Sequence, residues 1–207
     1  MTDLLLFCED SFHEAFIVPL ALRVAREVGI EVKCKIRTSR GGLPRMAGEL
    51  VTLLRDVKTM KETLPSALII VADGNCKGVA GRRKEFSSEA LISQLGEQVV
   101  YAVPNPHIER WMMVDPQAFK KVFGTGCRAL PAVKCVKGEY KRILREEFRN
   151  ADFVPALGGR EYAAEIIEAM DLDRASREDN AFSDCVKSLR GLMNRLRVIN
   201  KVEYPPR

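Results

Sequence analysis

The chain is poor in histidine and has no closely spaced cysteine pair. Its 207 residues contain two histidines, His13 and His107, and six scattered cysteines, Cys8, Cys34, Cys76, Cys127, Cys135 and Cys185. No two cysteines stand in C-x-x-C spacing, which with so few histidines argues against a structural zinc site. We therefore expect free, mostly buried thiols in a reducing cytosol and a cytoplasmic protein. No apolar run approaches the ~20 residues of a membrane span, so no membrane association is expected. Met1-Thr2-Asp3-Leu4 places an acid, not a basic segment, before the first apolar run, so this stretch is not expected to be a signal peptide. No P-loop motif is present, which argues against a standard ATPase of that type. Internal repeats and low-complexity tracts are absent too.

Apolar residues make up 46% of the chain, enough for a proper core. The length suits one domain, or one with a small appendage. The net charge of +5 is uneven: residues 1–74 balance, residues 75–150 carry +6 and residues 151–207 carry −1. A mild surplus in the middle third permits contact with phosphate-rich partners without demanding it.

Ala67-Leu68-Ile69-Ile70-Val71-Ala72-Asp73-Gly74-Asn75 organises the rest. Its apolar run reads as a strand buried on both faces, ending in an acid, a glycine and an amide. Leu4 to Cys8 reads the same way and ends in Glu9-Asp10. Between them, Ser11 with Glu14 three residues on forms a capping-box pattern opening a helix to about Val28, kinked at Pro19 and stopped by Gly29. Ile30 to Ile36 alternates as a half-exposed strand near an edge. A helix from about Pro44 to Thr63 follows, with Leu50, Leu53, Leu54 and Val57 inward. This strand–helix–strand–helix–strand order predicts a layered α/β sheet.

Residues 74–88 read as a basic loop, Ser87 or Ser88 opens a helix to Gly96, and Gln98 to Val103 is a fourth strand. A helix over 106–114 starts near Pro106, and Asp115-Pro116 caps and opens another to Phe123. Further helices are predicted over 139–148, 160–170 and 178–197, with a cap and turn at Asp171-Leu172-Asp173 and a loose tail.

Ligands of open parallel sheets sit beyond the carboxyl ends of the strands. Glu9 and Asp73 both belong at that rim, where two close carboxylates repel and a divalent cation relieves the repulsion. Oxygen ligands suit Mg²⁺ or Mn²⁺, with Asn75 as a neutral third ligand. Glu109 follows the fourth strand and faces the same rim. Glu14 is either a capping-box member or a catalytic acid, and His13 either a base, a phosphate contact or neither. Lys77, Arg82 and Arg83 close behind Asp73, and Arg40 beside Gly41-Gly42, are candidates to hold a phosphate. Trp111 reads as core.

The order strand–Glu, then strand–Asp-x-Asp, resembles the Toprim domain of primases, topoisomerases and related nucleases, with Glu9 and Asp73 in place and Asn75 where the second aspartate is expected. Val103-Pro104-Asn105-Pro106-His107-Ile108-Glu109-Arg110-Trp111-Met112-Met113-Val114-Asp115 and the later Asn180-Ala181-Phe182-Ser183 resemble the DUF4276 family, which is of Toprim type and near the RloB-like proteins. The resemblance implies a metal-dependent nuclease-like or phosphotransfer domain, with Glu9, Asp73 and Glu109 as the acidic centre. Relatives often stand beside an ABC-type ATPase, and several belong to anti-phage defence systems. Asn75 removes one negative charge from that pattern and weakens a two-ion site.

The expectation is therefore an α/β chain with a Toprim-like, mostly parallel sheet, helices on both faces and a helical C-terminal third. Residues 1–124 form the core and 125–207 an extension packed on it. The expected activity is Mg²⁺- or Mn²⁺-dependent cleavage of phosphodiesters in DNA or RNA. Glu9 and Asp73 hold the ion, Glu109 completes the site, and Glu9 or Glu14 takes the proton from water. The rival is a non-catalytic partner or sensor subunit of an ABC-type ATPase. A phosphohydrolase of small nucleotides would use the same acids.

Overall fold

The structure is a computed structural model describing residues 2–39, 41–59, 61, 65–87, 95–128, 130 and 135–203. Four parallel strands form its sheet: β1 (Thr2–Cys8), β2 (Val32–Thr38), β3 (Ala67–Val71) and β4 (Val99–Ala102), in the order β2-β1-β3-β4. The helices are α1 (Ser11–Val28), α2 (Gly42–Lys58), α3 (Gly78–Ser87), α4 (Ile108–Met112) and α5 (Pro116–Phe123), then α6 (Glu139–Asn150), α7 (Ala163–Ala169), α8 (Leu172–Glu178) and α9 (Asn180–Glu203).

The central strands are buried on both faces, as a sheet between two helical layers requires. Leu4, Leu6 and Cys8 of β1 and Ala67, Ile69 and Val71 of β3 point into the larger core cluster, with α1 and the C-terminal helices. The alternate residues Leu5, Phe7, Leu68 and Ile70 meet Met46, Leu50, Leu53 and Leu54 of α2 and Phe86 of α3. Trp111 is fully buried against Phe16 and Phe182, 5.9 and 5.3 Å away between ring centroids, joining α4 to α1 and α9. β2 is one of the two edge strands; Lys33, Lys35 and Arg37 lie along it, a charge pattern that discourages further strand pairing.

Several local expectations are corrected. Asp10, not Ser11, caps α1, accepting from the backbone N–H groups of Phe12 and His13 at 2.8 and 3.1 Å. Glu14 closes no capping box; its Oε2 accepts from the Thr38 hydroxyl at 2.5 Å. α2 ends at Lys58 rather than near Thr63. The basic loop after Asp73 is a single 3₁₀ turn (Asn75–Lys77) followed by α3. α3 has almost no apolar periodicity, so pattern reading had nothing to register there. Residues 171–178 are a cap and a helix rather than a turn. The helix expected from Ser87 or Ser88 lies mainly outside the described residues.

The cysteines are not all free. Cys76 and Cys135, both exposed, form a disulfide, whereas Cys8, Cys127 and Cys185 are buried thiols and Cys34 is half-buried. With a separation of 59 residues, no sequence spacing announces the pair. Among the described residues no helix is long and apolar enough to cross a membrane.

Candidate metal centre

Parallel register puts the ends of β1 and β3 level, Cys8 opposite Val71. Glu9 and Asp73 therefore leave the sheet side by side. The Glu9 backbone N–H donates to Val71 O at 2.9 Å, and Glu9 Oε2 accepts from the Asp73 backbone N–H at 3.0 Å. Gly74 and Asn75 tie this rim to the segment after β4: their N–H groups donate to Pro104 O at 2.7 Å and Pro106 O at 2.9 Å. A Cβ at Gly74 would meet Pro104 O at 3.0 Å, so the close approach needs glycine. Asn75 sits at φ +47°, a left-handed conformation that asparagine adopts more readily than most residues.

These ties bring both histidines to Asp73. His107 Nδ1 is 2.9 Å from Asp73 Oδ2, His13 Nε2 is 3.0 Å from Oδ1, and the Ile108 backbone N–H donates to Oδ1 at 2.8 Å. Asp73 thus bonds to the first residue of α4 while bridging two imidazoles. His13, only 1% exposed, has its other nitrogen, Nδ1, 2.8 Å from Asp10 Oδ1. Both ring nitrogens face carboxylates, an arrangement only the imidazolium satisfies as a double donor. Burial pushes the His13 pKa down, but hydrogen bonds and charges from Asp10 and Asp73 outweigh it and raise the value to about 10. Burial likewise opposes ionisation of Asp73, yet the bonds from His107 and His13 hold its carboxyl below the usual range. His107 is raised, chiefly by its bond to Asp73. Glu9 is raised by burial, opposed by His13 and the Asp73 N–H, with Asp73 and Asp10 adding repulsion.

One ligand atom each from Glu9, His13 and Asp73 lie within 4.8 Å of one another. Two carboxylates and an imidazole at that spacing fit a divalent cation, with His13 offering Nε2 in place of the proton it now shares with Asp73. Asp10 supports His13 from behind, as carboxylates support metal-binding imidazoles elsewhere.

Glu109, in α4, is 2% exposed and its Oε2 has no hydrogen-bond partner among the described residues; Lys141 Nζ lies 3.6 Å from Oε1. Its pKa is raised by burial first, with the charge of Asp73 adding to the rise. It lines a cavity of about 470 Å³ that opens between the start of α1 and α6.

Among the described residues, none of the other predicted ones contributes to this group of three ligand atoms. Asn75 is half-buried, with Nδ2 3.5 Å from the Asp73 carbonyl oxygen. Glu14 is held by Thr38 at the end of β2. Lys77 is paired with Glu85. Arg82 is buried, donating through Nε to the Asp73 carbonyl at 2.9 Å and pairing with Glu85. Arg83 lies over the Tyr101 ring, 5.2 Å from its centroid. Arg40 lies outside the described residues. Sequence reasoning gave His13 little weight and missed His107, Asp10 and the cations of α6. One signal was available: each histidine stands within a few residues of the end of a strand predicted to reach this rim.

No family model, no curated protein and no solved structure matches the chain.

Proposed function

We propose that the chain is a divalent-metal-dependent phosphodiesterase of nuclease type. The observation that carries this reading is the convergence of Glu9, His13 and Asp73 donor atoms at the carboxyl rim of a parallel sheet. An ion held there would supply Lewis-acid activation of a phosphodiester. An imidazole among the donors favours Mn²⁺ over Mg²⁺. His107 fixes the second oxygen of Asp73, and Asp10 fixes His13. Glu109, beside them on the cavity wall, orients the substrate at that centre rather than holding the ion. The likeness of the Glu9, Asp73 and Glu109 segments to the Toprim-type family supports a nucleic-acid substrate and an ABC-type ATPase partner.

Calorimetric titration with Mn²⁺ and Mg²⁺, followed by cleavage assays on labelled DNA and RNA, tests the proposal. One Mn²⁺ per chain and Mn²⁺-dependent cleavage, both lost in Glu9→Gln and Asp73→Asn, are expected. Absence of binding, or cleavage unchanged in both variants, overturns it. A second reading, a non-catalytic subunit of an ATPase complex, draws on the mutual hydrogen bonding of Asp10, His13, Asp73 and His107 and on Asn75. It predicts stable association with an ATPase and no cleavage by the complex.

A further inference from the structure

We propose that the cavity beside the metal centre is a nucleotide subsite that receives one unstacked residue of a single-stranded nucleic acid. This rests on the phosphodiesterase reading and names its substrate class. Lys141, Arg145 and Arg149 recur every four residues along α6 and so form one stripe, on the cavity wall. Neither Arg145 nor Arg149 makes an ion pair with any described residue. Phe12 and Phe153, both partly buried, supply flat apolar wall. Glu109, whose Oε2 has no partner among the described residues, lines the same cavity.

These three features ask for different things of one ligand. The arginine stripe asks for an anion. A buried carboxylate oxygen asks for an N–H donor and rejects a second anion, so a free phosphate satisfies only part of the cavity. The phenyl rings ask for a planar apolar face. A nucleotide carries all three: phosphate for the stripe, a base face for the rings and a base-edge N–H for Glu109. At about 470 Å³ the cavity lies within the range of small-ligand sites. Glu109 is 2% exposed, so a base edge still paired in a duplex cannot reach it, whereas a splayed base can. Phe12 lies between Asp10 and His13 in sequence, which puts the subsite next to the centre where the adjoining phosphodiester would be cut.

The test is fluorescence anisotropy with the full chain in EDTA, using a fluorescein-labelled mixed-sequence hexadeoxynucleotide, the same strand annealed to its complement, and AMP and GMP as competitors. EDTA separates this subsite from the metal reading. The single strand is expected to bind at least about 10-fold tighter than the duplex. Arg145→Ala with Arg149→Ala should weaken binding about 10-fold or more and flatten the dependence of log K on log salt by about 0.7 for each phosphate no longer neutralised. Phe153→Ala should cost about 10-fold through weaker stacking. Both arginines lie exposed on α6 rather than in the core, so the arginine variant should fold and keep the Mn²⁺ affinity of the natural chain; Phe153 also packs on Phe123 and Tyr162, so the Phe153 variant is read only where its melt and Mn²⁺ affinity match the natural chain. Glu9→Gln should leave strand binding intact, so failure of the metal site and failure of the subsite are distinguishable. Displacement by unlabelled strand alone supports the proposal; displacement by AMP or GMP as effective as by unlabelled strand assigns the subsite to free nucleotides and overturns it. No binding in EDTA, equal binding of duplex, or binding unmoved by the arginine and Phe153 variants overturns it as well.

Discussion

Asp179→Ala is expected to be one of the most damaging single substitutions outside the candidate metal centre. Asp179 and Arg110 form an interior ion pair, Nε to Oδ2 at 2.7 Å, with side chains 3% and 7% exposed. The other oxygen of Asp179 accepts from the Phe182 backbone N–H at 2.9 Å and caps α9. Removing the carboxylate costs the cap, about 1 kcal/mol. It also takes the carboxylate partner from the buried Arg110 guanidinium, and breaking a buried pair from one side costs about 3–5 kcal/mol. We expect a loss of about 4 kcal/mol, which in a chain of this size lowers Tm by about 8–16 °C. Asp179→Asn retains an acceptor for the cap and should lose about 3 kcal/mol. Adding Arg110→Met to Asp179→Asn removes the buried charge that has lost its carboxylate and should recover about 1 kcal/mol or more of that loss. Calorimetric melts of the four proteins give these values. Because α4 carries both Arg110 and Ile108, whose N–H donates to Asp73, the single variants that remain folded should also bind Mn²⁺ more weakly. An Asp179→Ala protein melting within about 2 °C of the natural chain, or a double variant no better than Asp179→Asn, would refute the reasoning.

Three further outcomes are expected. Trp111→Ala empties a fully buried site between Phe16 and Phe182 and should cost about 3–5 kcal/mol in denaturant unfolding followed by circular dichroism. Burial alone would raise the pKa of Asp115, but the bonds from Arg174 and the Asp171 N–H hold it below its ordinary 3.8; its stabilisation is therefore complete above that value and lost as pH falls through the lowered one. The natural chain should accordingly lose Tm more steeply below about pH 4 than Asp115→Asn does, and parallel acid profiles would contradict this. Dithiothreitol should lower the Tm of the natural chain, because the Cys76–Cys135 bond closes a long loop worth about 2–4 kcal/mol, and should leave Cys76→Ser unmoved.

The layered fold was legible because its signal is local. The unbroken apolar runs of β1 and β3 can be accommodated only between two helical layers, and Asp115-Pro116 and Gly124 bound α5 as read from sequence. The rim position of Glu9 and Asp73 followed from strand polarity alone. What stayed hidden depends on distant segments meeting. α3 buries little besides Arg82 and Phe86, so it carries no helical stripe. The capping role of Asp10 was masked by a plausible Ser11–Glu14 pair, which lost because the Asp10 carboxylate also reaches His13 Nδ1. His107 reaches Asp73 only because Gly74 and Asn75 bond to the Pro104 and Pro106 carbonyls. The basic residues nearest Asp73 in sequence engage Glu85, Tyr101 and the Asp73 carbonyl, and those on the cavity belong to α6, far along the chain.

Asp73 and Glu9 sit side by side yet carry different structural duties, and that difference separates function from folding. Asp73 accepts three hydrogen bonds, from two histidines and from the first residue of α4. Its removal therefore disturbs the helix that carries Glu109 as well as any ion site, and loss of activity in an Asp73 variant is ambiguous by itself. Glu9 accepts one bond among the described residues, from the Asp73 N–H, and glutamine keeps that acceptor. Burial already raises the pKa of Glu9, so its charge is held against an opposing desolvation cost that a cation would relieve. Glu9→Gln should thus melt at or above the temperature of the natural chain while losing Mn²⁺ binding, whereas Asp73→Asn should lose both stability and binding. If Glu9→Gln binds Mn²⁺ as the natural chain does, the carboxylate has no ion to serve, and the metal-centre reading fails at its first ligand.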